Sequence, residues 1–195
     1  MCWLVRRRIA KTLLRLKSMY QYRIHNQPTD VVLQKEIVLY MKMAKWYLKL
    51  HGKKKCPFAY DSAIACYRAA AALDHAEAQY CIGKLKVDEG KFRADLQASG
   101  VFDSASNARE MTDAYQEAHA FLSAAVAHKH IQAQRLLGLC YINGWGEPVD
   151  KNKGFDLIIA SIEQEGSWDR VQKIFTTLNV NNVTFLSELF QRRKQ

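Results

Sequence analysis

Apolar residues recur at three- and four-residue intervals along most of this chain, the spacing of helices that turn one face inward. In Met1 to Ile24, Trp3, Leu4, Ile9, Leu13, Leu16 and Tyr20 fall close to that spacing. Arg6, Arg7, Arg8, Lys11, Arg15, Lys17 and Arg23 add seven cations to the same stretch without one acid, which predicts an amphipathic helix with a cationic face. After Pro28, Thr29 or Asp30 can cap a second helix that ends at Gly52. Val32, Ile37, Tyr40, Met41, Ala44, Tyr47 and Leu48 share one of its sides, and Lys35, Lys42, Lys45 and Lys49 the other. A stripe of Met and aromatic residues at helical spacing is expected to be core.

Further on, a stretch of 21 residues occurs twice. Ala63 to Gly83, AIACYRAAAALDHAEAQYCIG, aligns without a gap on Ala118 to Gly138, AHAFLSAAVAHKHIQAQRLLG. The register pairs Ala63 with Ala118, Ala70 with Ala125, His75 with His130, Ala78 with Ala133, Gln79 with Gln134 and Gly83 with Gly138. Each copy reads as two helices, the first ending at Ala71 and Ala72 or at Val126 and Ala127, with Asp74 and His75 or Lys129 and His130 in the turn. Asp tolerates a left-handed backbone better than Lys does, so the second turn is expected to differ in shape from the first. An antiparallel pair of this kind cannot bury both its apolar faces alone and therefore stacks on neighbours.

These residues resemble the Sel-one-like repeat, a branch of the tetratricopeptide superhelices. Ala63, Tyr67, Ala70, Ala71, Ala78, Ile82 and Gly83 fit that pattern in the first copy; Ala118, Phe121, Ala125, Ala133, Leu137 and Gly138 fit it in the second. Tyr141, Gly144, Gly146, Val149 and Asp150 fit the linker to the next repeat and lead to Gly154, where the family has alanine. From Ala118 to Gly154 is 36 positions, the family's period. The expected architecture is all-α: antiparallel helix-pair repeats stacked as a short right-handed superhelical solenoid of roughly eight to ten helices. Residues 1–56 would be basic helices capping the stack, and 57–195 the repeat region. The resemblance implies an interaction scaffold or adaptor within a larger assembly, and in bacteria such repeats are common in secretion-associated and host-interacting proteins. It also implies that cysteines linking the two helices of some secreted relatives would stand at Ala71 with Gln79 and Val126 with Gln134, where this chain has none.

The first connection between repeats exceeds the second by 19 residues, since Gly83 to Ala118 spans 35 positions and Gly138 to Gly154 spans 16. The excess lies in an insertion at about 88–117 that carries seven acids against three basic residues. Within it, Ala98 to Asn107, ASGVFDSASN, has no sustained period and reads as a loop, with Asn107 capping the helix that follows. A recognition loop and a passive surface loop are both open for it. A third, degenerate copy starts at Asp150 to Gly154, and Val180 to Gln195 would close the chain with a helix that turns Leu186, Leu189 and Phe190 inward.

Charge sharpens the division. Residues 1–55 hold 14 Lys and Arg against Asp30 and Glu36, a balance of +12, while residues 56–195 hold 15 against 17, a balance of −2. Such asymmetry points to an acidic protein partner, an anionic membrane surface or nucleic acid. For Met1 to Ile24, three readings stay open: first helix of the stack, binding helix for a partner or membrane, and organellar targeting segment. Arg6 to Arg8 interrupt any secretory hydrophobic run, and no stretch is apolar enough to span a bilayer. Cys2, Cys56, Cys66, Cys81 and Cys140 form no CxxC pair, which suggests free thiols in a reducing compartment, the cytoplasm first, with an organellar matrix or delivery into a host cell as alternatives.

No phosphate loop, HExxH, nucleophile elbow or GxGxxG occurs, so neither enzyme chemistry, a cofactor, a metal nor a small-molecule substrate is expected. His75 and His130 share one repeat position and suit a structural role at the turn. The candidates for partner contact are Arg6, Arg7, Arg8, Lys45, Trp46, the triple lysine Lys53, Lys54 and Lys55, and Trp145 in the glycine turn between Gly144 and Gly146. Trp145 either packs back on the repeat, the reading that the turn favours, or stands exposed as a binding anchor. The functional expectation is a non-enzymatic adaptor, with a nucleic-acid-associated subunit or a peripheral membrane protein as the alternatives.

Overall fold

The structure is a computed structural model of residues 1–195, and it describes all of them except 1, 27–28, 53–57, 102, 178–179, 181–182 and 194–195, together with the side chains of Cys2 and Thr177. The described residues are helical throughout their regular structure, with no strand. In order the helices are α1 (Cys2–His25), α2 (Asp30–His51), α3 (Ala59–Ala71), α4 (Ala76–Ala98), α5 (Ala105–Ala127), α6 (Ile131–Asn143), α7 (Lys151–Glu165), α8 (Val171–Thr177) and α9 (Val183–Arg192). A single 3-10 turn, Trp168–Arg170, precedes α8. The chain divides into two compact units, Met1–Ile82 and Gly83–Gln195, with the boundary inside α4.

In the first unit α1 packs on α2, and α2 packs along α3. Ile37, Met41, Ala44 and Leu50 are buried on α2, and Ala59, Ala63, Tyr67 and Ala70 on α3. α1 corrects its expected stripe. Ile9 and Leu16 are buried, but Trp3, Leu4, Leu13 and Tyr20 are exposed, and Thr12 is buried instead. Thr12 satisfies its hydroxyl within the helix by donating to the Arg8 carbonyl at 2.9 Å.

The two turns of the repeated stretch have one shape. Asp74 (φ 61°) and Lys129 (φ 60°) both adopt the left-handed conformation, which corrects the expectation that the second turn differs. One position later each histidine caps the next helix: Nδ1 of His75 accepts from the Ala78 amide at 3.2 Å, and Nδ1 of His130 from the Ala133 amide at 3.1 Å. An acceptor at this point satisfies one of the amides that a helix start leaves without a partner. Ala63, Ala70 and Ala78, like Ala118, Ala125 and Ala133, are fully buried.

In the second unit the helices cross where side chains vanish. A Cβ on Gly83 would stand 2.6 Å from the Leu122 side chain and 3.3 Å from the Ala118 carbonyl. Gly138 and Gly154 face each other: a Cβ on Gly138 would meet the Gly154 carbonyl at 2.6 Å, and one on Gly154 the Gly138 carbonyl at 2.7 Å. The absence of alanine at 154 therefore follows from the crossing of α6 and α7. Asp150 starts α7 by accepting from the Lys153 amide at 3.0 Å, and Gly144 (φ 73°) ends α6 in the left-handed region that glycine enters without strain.

The insertion is mostly helical. α4 runs on to Ala98 and α5 begins at Ala105, so the loop is shorter than expected, and Ser104 rather than Asn107 caps α5, accepting from the Asn107 amide at 3.1 Å. Asn107 is buried and tied to α4, its Nδ2 donating to the Arg93 carbonyl at 3.1 Å. Ion pairs follow the same antiparallel register, Lys86 with Glu117 at 3.2 Å and Arg93 with Glu110 at 2.6 Å. Farther along, Arg135 of α6 is buried against α7, its Nε donating to the Ser161 hydroxyl at 3.2 Å while its guanidinium pairs with Glu165. At the end of the chain Phe185 and Leu189 are buried, whereas Phe190 is exposed, contrary to its expected inward position. Phe185 packs on Phe155 (5.3 Å between ring centroids) and Phe175 (5.0 Å).

Gly138→Ala and Gly154→Ala are each expected to lower stability by about 1–3 kcal/mol through overpacking, although alanine is the better helix former by about 1 kcal/mol. Gly52→Ala, whose nearest neighbour would be 3.6 Å away, should leave stability unchanged or slightly raised. Urea unfolding of the three variants decides the matter: a Gly154→Ala protein as stable as its parent would refute the crossing.

Candidate functional site

The cations that dominate the first third of the chain are carried by the α1–α2 hairpin. Leu, Arg, Lys and Ala favour helix along α1, and in α2 Asp30 in the first turn and Lys49 and His51 in the last suit the helix dipole. α1 sets Val5, Ile9, Thr12, Leu16 and Met19 inward, alternating four- and three-residue steps that keep one seam facing a neighbouring helix. Lys35, Lys42, Lys45 and Lys49 lie exposed along α2, as the sequence pattern predicts.

Between the two helices an open apolar groove of about 760 Å³ remains. Met19 of α1 and Val31, Val38 and Leu39 of α2 form its apolar surface, with Ser18 and Gln34 beside them, Arg15 and Lys35 at its margins and Asp30 at one end. Val31 is 62% exposed and Val38 47%, so both stand in water. Neither was singled out by the sequence pattern, although their seven-residue separation on the lysine-bearing side of α2 is a visible signal.

Beneath the hairpin lies a carboxylate that sequence inspection counted only as a charge. Glu36 is 0% exposed, and among the described residues neither of its oxygens has a hydrogen-bond partner at good geometry, although the Tyr40 phenol lies close enough to interact with it. Its nearest countercharge is Arg23 of α1, with Nη1 at 3.8 Å from Oε2, and Arg23 itself is part-exposed. Burial and the adjacent Glu36 carboxylate push the Tyr40 phenol up from its usual range.

The predicted contact residues are divided between the two units, and three of them lie outside the described residues. Arg6, Arg7 and Arg8 are exposed on α1, where the Arg7 guanidinium lies 5.3 Å from the Trp3 ring centroid. Lys45 is exposed on α2 and Trp46 half-buried beside it. Lys53, Lys54 and Lys55 lie outside the described residues. Trp145 belongs to the second unit and is half-buried, stacked on Tyr115 with centroids 5.7 Å apart and planes 7° apart, while Lys91 Nζ sits 4.4 Å from its ring. Gly146 (φ 88°) makes this possible, since a Cβ there would fall 2.4 Å from the Tyr115 carbonyl. Trp145 thus holds the repeat turn against α4 and α5.

Reactive groups are muted by burial. The Cys66 and Cys81 thiols are pushed up to about 11 and Cys140 to about 12, in each case chiefly by desolvation. All three are free. Burial also lowers the His119 imidazole, whose ring meets Tyr141 edge-on at 5.1 Å. Among the described residues no three His, Cys, Asp or Glu side chains gather as a metal site, and no helix is long and apolar enough to cross a membrane. No family model matches the chain, and no curated protein matches it.

Three outcomes are expected. Glu36→Leu should raise stability by about 1–3 kcal/mol, because a buried carboxylate with one distant countercharge loses more in desolvation than it recovers, whereas Arg23→Ala should lower it by about 1–2 kcal/mol. Denaturant midpoints test both, and a destabilised Glu36→Leu would show that the pair contributes net stability. For the thiols, a raised pKa leaves thiolate scarce until the pH approaches it. Cys66, Cys81 and Cys140 should therefore resist iodoacetamide from about pH 7 to 9 in the native protein and react at ordinary rates once unfolded, as read by peptide mass mapping.

Proposed function

We propose that this chain is a non-enzymatic protein-interaction module that binds an amphipathic helical segment of a partner in the groove of the α1–α2 hairpin. The observation that carries the reading is an exposed apolar groove with cations at its margins. Exposed valines in a recess between two helices suit an apolar partner face better than they suit water. Val31 and Val38 lie about 10.5 Å apart at 1.5 Å per residue, the separation of residues i and i+7 on a facing helix. Arg15 and Lys35 then meet carboxylates at the partner's edges, and Asp30 at one end gives the groove a polarity that favours one direction of docking.

In this proposal the helix pairs stack as a right-handed solenoid of the Sel-one-like type and act as a rigid support. The identical turns at Asp74–His75 and Lys129–His130 support it, as do the paired crossings at Gly83 with Ala118 and Gly138 with Gly154. The desolvated thiols fit a reducing compartment.

Selection of a random peptide library on the immobilised protein tests the reading. Peptides with apolar residues at i, i+3 or i+4 and i+7 and flanking Asp or Glu should be enriched, and Val38→Asp should weaken them about tenfold or more. Enriched peptides that bind Val38→Asp as well as the parent would place the interaction elsewhere and end the proposal.

A further inference from the structure

Half a turn away from the seam that faces α2, α1 carries a second stripe at the same spacing. Trp3, Arg7, Ala10, Leu14, Lys17 and Gln21 are all exposed, with Leu4, Arg6 and Lys11 exposed beside them. Trp3 is 66% and Leu14 71% exposed, so large apolar side chains alternate with cations along an exposed face of α1. The groove of the proposed function opens on another side of α1, through Arg15, Ser18 and Met19. At 1.5 Å per residue the stripe extends for about 27 Å from Trp3 to Gln21, and it is the convex face of one helix rather than a recess.

We propose that this stripe seats α1 in the headgroup region of an anionic bilayer, with the helix axis in the plane of the membrane. Arg6, Arg7, Lys11 and Lys17 would meet lipid phosphates and carboxylates, while Trp3, Leu4 and Leu14 enter the boundary between headgroups and acyl chains. Two features choose lipid over the other anionic partners. Nucleic acid would use the cations, but Leu4 and Leu14 have no base edge to read and cannot stack. A partner helix packed on this face would have to bury the cations that alternate with its apolar residues, a desolvation cost that a hydrated headgroup layer does not impose. α1 also contains no acid that would repel an anionic surface. A bilayer uses both the cations and the aliphatic residues of this convex face.

The test is flotation of the full chain with vesicles of phosphatidylcholine containing phosphatidylserine, beside phosphatidylcholine alone and a random-sequence RNA. Binding is expected on the anionic vesicles only, weakening as salt rises. Each cation reversed should lower the partition about fivefold or more, so Arg7→Glu with Lys11→Glu should lower it about 25-fold or more. Leu14→Ser should lower it about tenfold, and Trp3→Phe should remove a blue shift of tryptophan emission on vesicle addition. Lys151→Glu with Lys173→Glu, the same change of net charge on exposed lysines of the second unit, should leave binding intact. All these sites are exposed, and an unchanged melting temperature certifies the fold of each variant. Absence of vesicle binding overturns the inference. Binding that ignores Leu14→Ser, or RNA binding of equal strength, overturns it in favour of a polyanion surface. The outcome is independent of the groove, because Val38→Asp is expected to lose peptide and retain vesicles.

Discussion

Two helices lie backbone to backbone only where neither places a Cβ between them, and in residues 83–195 that constraint is met at Gly83, Gly138 and Gly154. The reciprocal fit of Gly138 and Gly154 brings carbonyl oxygens to where side chains would be, so α6 and α7 have one register. Arg135 then falls beside Ser161 and Glu165, with its guanidinium satisfied although buried. At the other crossing, Gly83 on Ala118 and Leu122 fixes the antiparallel register in which Lys86 meets Glu117, Gly90 accommodates the Tyr115 ring and Arg93 meets Glu110. The polar contacts along α4 and α5 are consequences of that register. Alone, such part-exposed pairs contribute little.

The hairpin of α1 and α2 is built differently. Its inward seam is narrow, its helices are long, and large apolar residues remain on their outer sides. A helix that is apolar on more than one side and basic on the rest is poorly matched to solvent all round. Both functional proposals rest on that mismatch, one on the recess between the helices and the other on the convex face of α1.

How far the sequence revealed this depends on what each residue records. Gly83, Gly138 and the alanines of the repeat occupy positions where size is decisive, so the paired stretches could be aligned from residue identity alone. The turn shape was not legible, because Asp74 and Lys129 take one conformation that the helix crossing imposes on dissimilar side chains. The extent of α4 and α5 was obscured by local propensity: the small and polar residues of 98–107 suggest a loop, but Asn107 and Arg93, fourteen positions apart, tie the helices together. In α1, apolar residues on several sides left more than one stripe at helical spacing, and Thr12, which belongs to the true seam, reads as polar. The groove exists only once two helices pack, and Glu36 looks like any other acid until its burial is known.

The left-handed turn residues have a consequence for how this chain can change. A side chain held at φ near 60° costs about 1–2 kcal/mol against the right-handed form. At Asp74 a bond from Gln79 Nε2 at 3.5 Å offsets part of that strain; at Lys129 the aliphatic stem offers no such compensation. Each turn therefore holds a latent margin that loss of one side chain would release without disturbing the helices on either side. A lineage that needed a more heat-resistant scaffold would find it there, at two surface positions.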